Sequence, residues 1–458
     1  MDMTSEKADI QAFWSDPIVQ DYLMVLRDLI AKKSIYAQGI GLLEVAHFLA
    51  ETFRKAGAQV TLDDSYTAPF VMAEFKSEQA DAKTIIFYNH YDTVPADADQ
   101  IWTSDPFTMT IRDDIIYGRG VDDDKGHITA RLTAMMKVLQ EGQGLPVNVI
   151  FIMEGAEESA SVDLDKYLAK YSAKLSKADL LIWEQGNRNN LGQLEIYGGN
   201  KGILTFDAHV KSADLDIHSS YGGVVESSIW YLIQALNSLR EADGSLLIEG
   251  LTDELLEPNE REMALIQKHA QLSPEKLQAI YGLELPILVE EREVFLKRFY
   301  FEPSIAIEGL WSGYQGSGVK TILPGQAHAK LEIRLVPNLS PQDVFDKVKK
   351  QLVKNGFSQV ELTYTLGEKS YRSDMSHAAI IRVIELAKAH YEEGVAILPT
   401  SAGTGPMHTV FDALGVPIAA FGMGNPNSRD HAGDENVTVA DYYRHVKLIE
   451  ELIRSYGK

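Results

Sequence analysis

The chain has 458 residues, 43 basic and 66 acidic side chains, a formal charge of −23 and no cysteine. A length beyond ~300 residues exceeds one compact core, so two domains are expected. The acidic balance excludes nucleic acid and anionic membranes as partners, and the lack of cysteine excludes disulfides and thiolate metal sites.

Leu42, Val45, Ala46, Leu49 and Phe53 recur at helical spacing, with Gly57 near the predicted helix end. Thr84 to Tyr88 is a short, continuously apolar strand, and Ile128 to Leu139 has a helical pattern. Further apolar strands are predicted at Val147 to Met153, Leu180 to Trp183 and Val416 to Phe421. Such strands between helices predict an α/β fold, a mostly parallel sheet with helices on both faces. The middle of the chain differs. Ile203 to Val210 and Ala329 to Leu335 alternate with period two, as half-exposed strands do. A charged stretch from about Asp253 to Lys297 separates them, and Ser340-Pro341 predicts a helix start with Ser340 as N-cap. These patterns predict an α+β lid domain at 203–370, inserted into a catalytic domain formed by 1–202 and 371–458. No apolar run reaches the ~18 residues of a membrane span. The charged start of the chain lacks a signal core, so a cytoplasmic location is expected.

Chemistry-bearing residues follow the apolar strands. His90 and Asp92 come after one, Glu157-Glu158 after the next, Glu184 after the third, and His431 beyond the Gly-Asn-Pro loop after the fourth. Asp122-Asp123-Asp124 follows Gly118-Arg119-Gly120. Ligands of open parallel sheets bind beyond the carboxyl ends of the strands, so these groups are expected at one rim. Crowded carboxylates repel unless cations neutralise them. His nitrogen and carboxylate oxygen suit Zn²⁺, and two metals can share a carboxylate.

The ordered set His90-Tyr91-Asp92, Gly118-Arg119-Gly120 through Gly126, Glu157-Glu158 and His431 with Asp434-Glu435 resembles the metallopeptidases that include carnosinase, glutamate carboxypeptidase, succinyl-diaminopimelate desuccinylase and aminoacylase. The resemblance implies two divalent ions, Zn²⁺ with Mn²⁺ or Co²⁺ as alternatives. His90, Asp123 and Glu184 would hold one ion. Asp123, Glu158 and His431 would hold the other. Asp92 would orient His90, and Glu157 would be the general base acting on a bridging water. In the lid, Asp216-Ile217-His218-Ser219-Ser220 resembles a motif whose His stabilises the oxyanion in a neighbouring subunit, which implies a homodimer through the lid. Arg334 resembles the arginine that pairs with the substrate carboxylate, and Gly403 with Thr404 lies in a loop resembling one that holds it.

The expected function is a metal-dependent amide hydrolase, an exopeptidase or dipeptidase acting on short peptides. Glu184 supports an alternative: in the resembled family, glutamate there accompanies carboxypeptidases and deacylases acting on N-acyl amino acids, and dipeptidase-like members tend to carry Asp. A non-catalytic metal-binding adaptor is the alternative of another class; Glu157 argues against it, since a binding site needs no base beside its ligands.

Overall fold

The structure is a computed structural model that describes residues 3–97, 100–253 and 255–457. The chain divides into two compact units. The first comprises the described residues of Met1–Gly199, Ser373–Pro399 and Thr409–Lys458; the second is Asn200–Arg372 with Thr400–His408. The short segment Thr400–His408, expected in the catalytic domain, therefore clusters with the second unit.

The first unit is built on a six-stranded sheet. Strand Thr84–His90 lies between Asn148–Glu154 and Leu180–Ile182, parallel to both. Ile418–Ala419 extends the parallel set beside Leu180–Ile182. Two antiparallel strands, Phe70–Phe75 and Gln59–Asp63, complete the other edge. The mostly parallel sheet expected from the apolar runs is thus present. Its central strands are buried along nearly their whole length, which explains why they are apolar without alternation. Helix Leu42–Lys55 buries Val45, Ala46, Leu49 and Phe53 of the predicted stripe together with Ala50, while Leu42 at its start is only half-buried. Helix Lys125–Gln140 begins directly after the Asp122-Asp123-Asp124 run and is buried along most of its length. None of the described helices is long and apolar enough to cross a membrane.

The second unit carries a four-stranded antiparallel sheet in the order Ser304–Ser312, Gln326–Leu335, Gly202–Lys211, Glu361–Glu368. Burial alternates along Gly202–Lys211, and the inward residues Leu204, Phe206, Ala208 and Val210 pack with Leu331 and Ile333. Helices Ser228–Asn237 and Pro341–Lys354 supply Leu232, Val344 and Val348 to the same core. Ser340 occupies the N-cap position of the latter helix, but its side chain makes no capping hydrogen bond; Pro341 at the first turn sets the start. The charged stretch holds helices Glu260–His269, Pro274–Tyr281 and Arg292–Phe301, the first closed by an Asn259–Glu262 capping box.

Phe151 is the hub of the first core. It is fully buried, and its ring centroid lies 4.8 Å from that of Phe53 and 5.1 Å from that of Phe87. Phe151→Ala is expected to destabilise the first unit by about 3–5 kcal/mol, read as a lowered midpoint in urea unfolding.

Candidate metal centre

The site grows from the carboxyl ends of the parallel strands. His90 is the last residue of its strand and pairs in register with Glu154 on the neighbour. Glu157 and Glu158 form a short turn just beyond Glu154, and Glu184 follows two residues after Ile182. Asp123 sits in the loop that feeds helix Lys125–Gln140.

Asp123 is the centre of this group. Its Oδ1 lies 3.0 Å from His90 Nε2, and its Oδ2 lies 3.0 Å from His431 Nε2. His431 Nε2 also stands 3.0 Å from Glu158 Oε2. Asp123, Glu158 and His431 each offer one ligand atom, and these lie within 4.8 Å of one another. On the other side, His90 Nε2 is 4.0 Å from Glu184 Oε2. That oxygen is buried and, among the described residues, has no hydrogen-bond partner. The structure therefore brings together His90, Asp123, Glu158, Glu184 and His431. Exposure is uneven: the His90 side chain is fully buried, whereas that of His431 is 56% exposed.

Asp92 links the parts. Its main-chain oxygen lies 3.1 Å from His90 Nδ1, and its Oδ1 lies 3.4 Å away. Its carboxylate also accepts the backbone N–H groups of Glu157 and Glu158, each at 3.2 Å. One buried side chain thus sets the position of a histidine and of the two-glutamate turn.

Electrostatics decide what such a cluster can hold. Burial drives the carboxyls of Glu157 and Glu184 well above the ordinary range; Glu184 adds to the rise at Glu157, and Asp124 and Asp123 add to it at Glu184. Burial also raises Asp122 strongly, with Asp430, Glu435 and Asp123 reinforcing it. Burial pulls the His90 imidazole down, but hydrogen bonds to Asp123 and Asp92 carry it well above its usual value. Hydrogen bonds to Asp123 and Glu158 raise His431 to about 10. The surroundings favour any cation, proton or metal. An all-N/O donor set with an unpartnered buried Glu184 oxygen fits divalent ions such as zinc.

Glu435 is the functional residue the sequence reading left without a role. Its Oε1 accepts the backbone N–H of Asp122 at 3.0 Å and of Asp123 at 3.1 Å. Its Oε2 accepts Gly120 N–H at 2.9 Å and Arg119 Nη1 at 2.7 Å. Arg119 in turn donates to the carbonyl of Ala432, beside His431, at 3.2 Å. Glu435 therefore ties the Asp123 loop to the His431 loop. The signal was the glutamate four residues after His431, but its partners lie more than 300 residues away in sequence.

The predicted lid residues belong to the second unit. His218 is exposed and pairs in a two-residue strand with Ile322. Its Nδ1 accepts the N–H of Ser220 at 3.2 Å. Arg334 and Thr404 come together, Nη1 donating to Oγ1 at 2.7 Å. The Arg334 fork also engages Glu332. Gly403 is exposed, and an added Cβ there would meet only ordinary contact, so the fold itself does not demand glycine.

This arrangement is that of a metal-dependent peptidase. The chain belongs to peptidase family M20/M25/M40, whose sequence model matches residues 86–455. It is similar to an M20 family metallo-carboxypeptidase of known structure, Sso-CP2 from Sulfolobus solfataricus: 36% identity, 95% of this chain and 99% of that one covered, TM-score 0.86. It is 27% identical to the Beta-Ala-His dipeptidase of Mus musculus over 398 residues, 85% of this chain and 80% of that protein. It is also 27% identical to the Cys-Gly metallodipeptidase DUG1 of Saccharomyces cerevisiae over 406 residues, 85% of this chain and 82% of that protein.

Glu435→Gln would turn an amide N–H toward backbone N–H donors. The expected result is a loss of about 10–100-fold in zinc affinity, measured by competition titration with a chromophoric chelator.

Proposed function

We propose that this chain is a dipeptidase-like exopeptidase that cleaves an amide next to a free carboxylate, with two divalent ions at the Asp123 cluster. The observation that carries the reading is Asp123 itself: its two oxygens face two different histidines at equal distance. His90, Asp123 and Glu184 would hold one ion, and Asp123, Glu158 and His431 the other, with zinc the first choice. When bound, the ions lower the pKa of a water molecule and polarise the scissile carbonyl.

The chain's own residues supply the rest. Glu157 is held by its backbone bond to Asp92. Burial and the Glu184 charge raise its pKa, which makes the ionised carboxylate a stronger base. It accepts a proton from the attacking water and delivers it to the leaving nitrogen, so the amine departs neutral. Arg334, with Thr404 beside it and the Gly403 loop, would bind the substrate carboxylate. His218 would stabilise the developing oxyanion of a neighbouring subunit's substrate in a homodimer. The relatives named as dipeptidases support the short substrate. The acidic, cysteine-free composition is assigned to the cytoplasm in this reading.

A panel of dipeptides and N-acyl amino acids, each assayed with zinc, manganese and cobalt, tests the substrate class. Dipeptide turnover is expected; turnover of acylated substrates alone would replace this reading with a deacylase. Glu157→Gln is expected to lower kcat by about 10²–10⁴-fold while metal content by elemental analysis stays unchanged. Light scattering is expected to give twice the chain mass; a monomer that retains full activity would remove His218 from the mechanism.

A further inference from the structure

His431 differs from the other four groups at the rim. Its side chain is 56% exposed, whereas those of His90, Asp123, Glu158 and Glu184 are at most 7% exposed. It lies in a loop rather than at a strand end, and its backbone takes φ 61°, the left-handed region that residues with a side chain rarely adopt. Arg429 and Asp434, on either side of it, take φ 60°. Such a backbone persists where its surroundings hold it.

Segment 100–103 of the same unit supplies that hold from outside. Gln100 Nε2 donates to the main-chain carbonyl of His431 at 3.1 Å, from a position 331 residues earlier in the chain. Gln100 Oε1 accepts Arg119 Nη2 at 2.8 Å, and Arg119 also donates to Ala432 and Glu435. The indole N–H of Trp102 reaches the same Gln100 oxygen at 3.4 Å, and the Arg119 guanidinium lies 5.1 Å from the centroid of the Trp102 ring. The N–H and Oγ1 of Thr103 both donate to the Asp434 carboxylate at 2.7 Å. Between these bonds the two backbones touch: a Cβ added at Gly433 would stand 2.0 Å from the carbonyl oxygen of Ile101.

We infer that segment 100–103 is the outer fastening of the His431 loop, with Gln100 a positioning residue for that ligand, and that it sets the hold on one of the two ions only. The inference rests on the two-ion peptidase reading and deepens it. His90 and Glu184 are placed by the ends of parallel strands, and the Glu157-Glu158 turn by Asp92. His431 is placed by hydrogen bonds between loops. With the fastening cut, the ion assigned to Asp123, Glu158 and His431 loses a ligand, whereas the ion assigned to His90, Asp123 and Glu184 keeps all three.

The test is zinc titration of the metal-free full chain against a chromophoric chelator, with metal content checked by elemental analysis. Gln100 and Gly433 are only half-buried, and the φ of Gly433 is not left-handed, so Gln100→Ala and Gly433→Ala leave the core untouched. Each is expected to weaken one ion by about tenfold or more and leave the other within about twofold, at an unchanged urea midpoint. Thr103→Ser keeps both donors and is expected to bind both ions as the wild type does. His431→Ala identifies the ion: adding Gln100→Ala to it is expected to cause no further loss, because both changes act on the same ligand. Wild-type affinity for both ions in Gln100→Ala and Gly433→Ala, or an equal loss of both ions, would overturn the fastening and leave the two-ion reading standing. A wild-type chain that binds no zinc would overturn the two-ion reading, and this inference with it.

Discussion

The first unit is organised around a charge problem. Asp123 stands between two histidines, with Glu157, Glu158 and Glu184 close by and Asp122, Asp430 and Glu435 in the surrounding shell. Burial alone would drive several of these carboxyls neutral. A cation at the centre instead lets them remain ionised and gives their separate loops a common partner. The fold brings the groups together by ending parallel strands at one rim, so the catalytic geometry is a direct consequence of strand register.

What holds the rim in shape lies one layer out. Asp92 fixes the Glu157-Glu158 turn through two backbone N–H groups, and Glu435 fixes the Asp123 loop through three more and Arg119. Both carboxylates are buried, and each bonds segments that are distant in sequence. The second unit handles charge differently. There, Arg334 and Arg298 are matched by acids, and Lys201 donates to the carbonyls of Glu302 and Arg298 with the Glu302 charge favouring its ammonium.

The sheet, and the meeting of the residues that follow its strands at one rim, were legible in the sequence. Apolar runs such as Thr84 to Tyr88 and Val147 to Met153 mark strands buried on both faces, and the polar residues just after them are where a parallel sheet presents its ligands. The period-two pattern of Ile203 to Val210 likewise marked a half-buried strand. Glu435 was harder to read. A carboxylate that accepts four donors from a loop over 300 residues earlier leaves no local pattern. The pairing of Arg334 with Thr404 is non-local in the same way, and Thr400–His408 clusters with the second unit although it follows the predicted lid by some thirty residues. Ser340 shows the converse: the cap position was legible, but the side chain leaves it unused.

Anomalous diffraction from crystals grown with zinc tests the central claim most directly. Two peaks per chain are expected, about 3.5–4 Å apart, with one oxygen of the Asp123 carboxylate reaching each. Density showing no metal there, or a single ion that leaves Asp123 without a metal contact, would contradict the account.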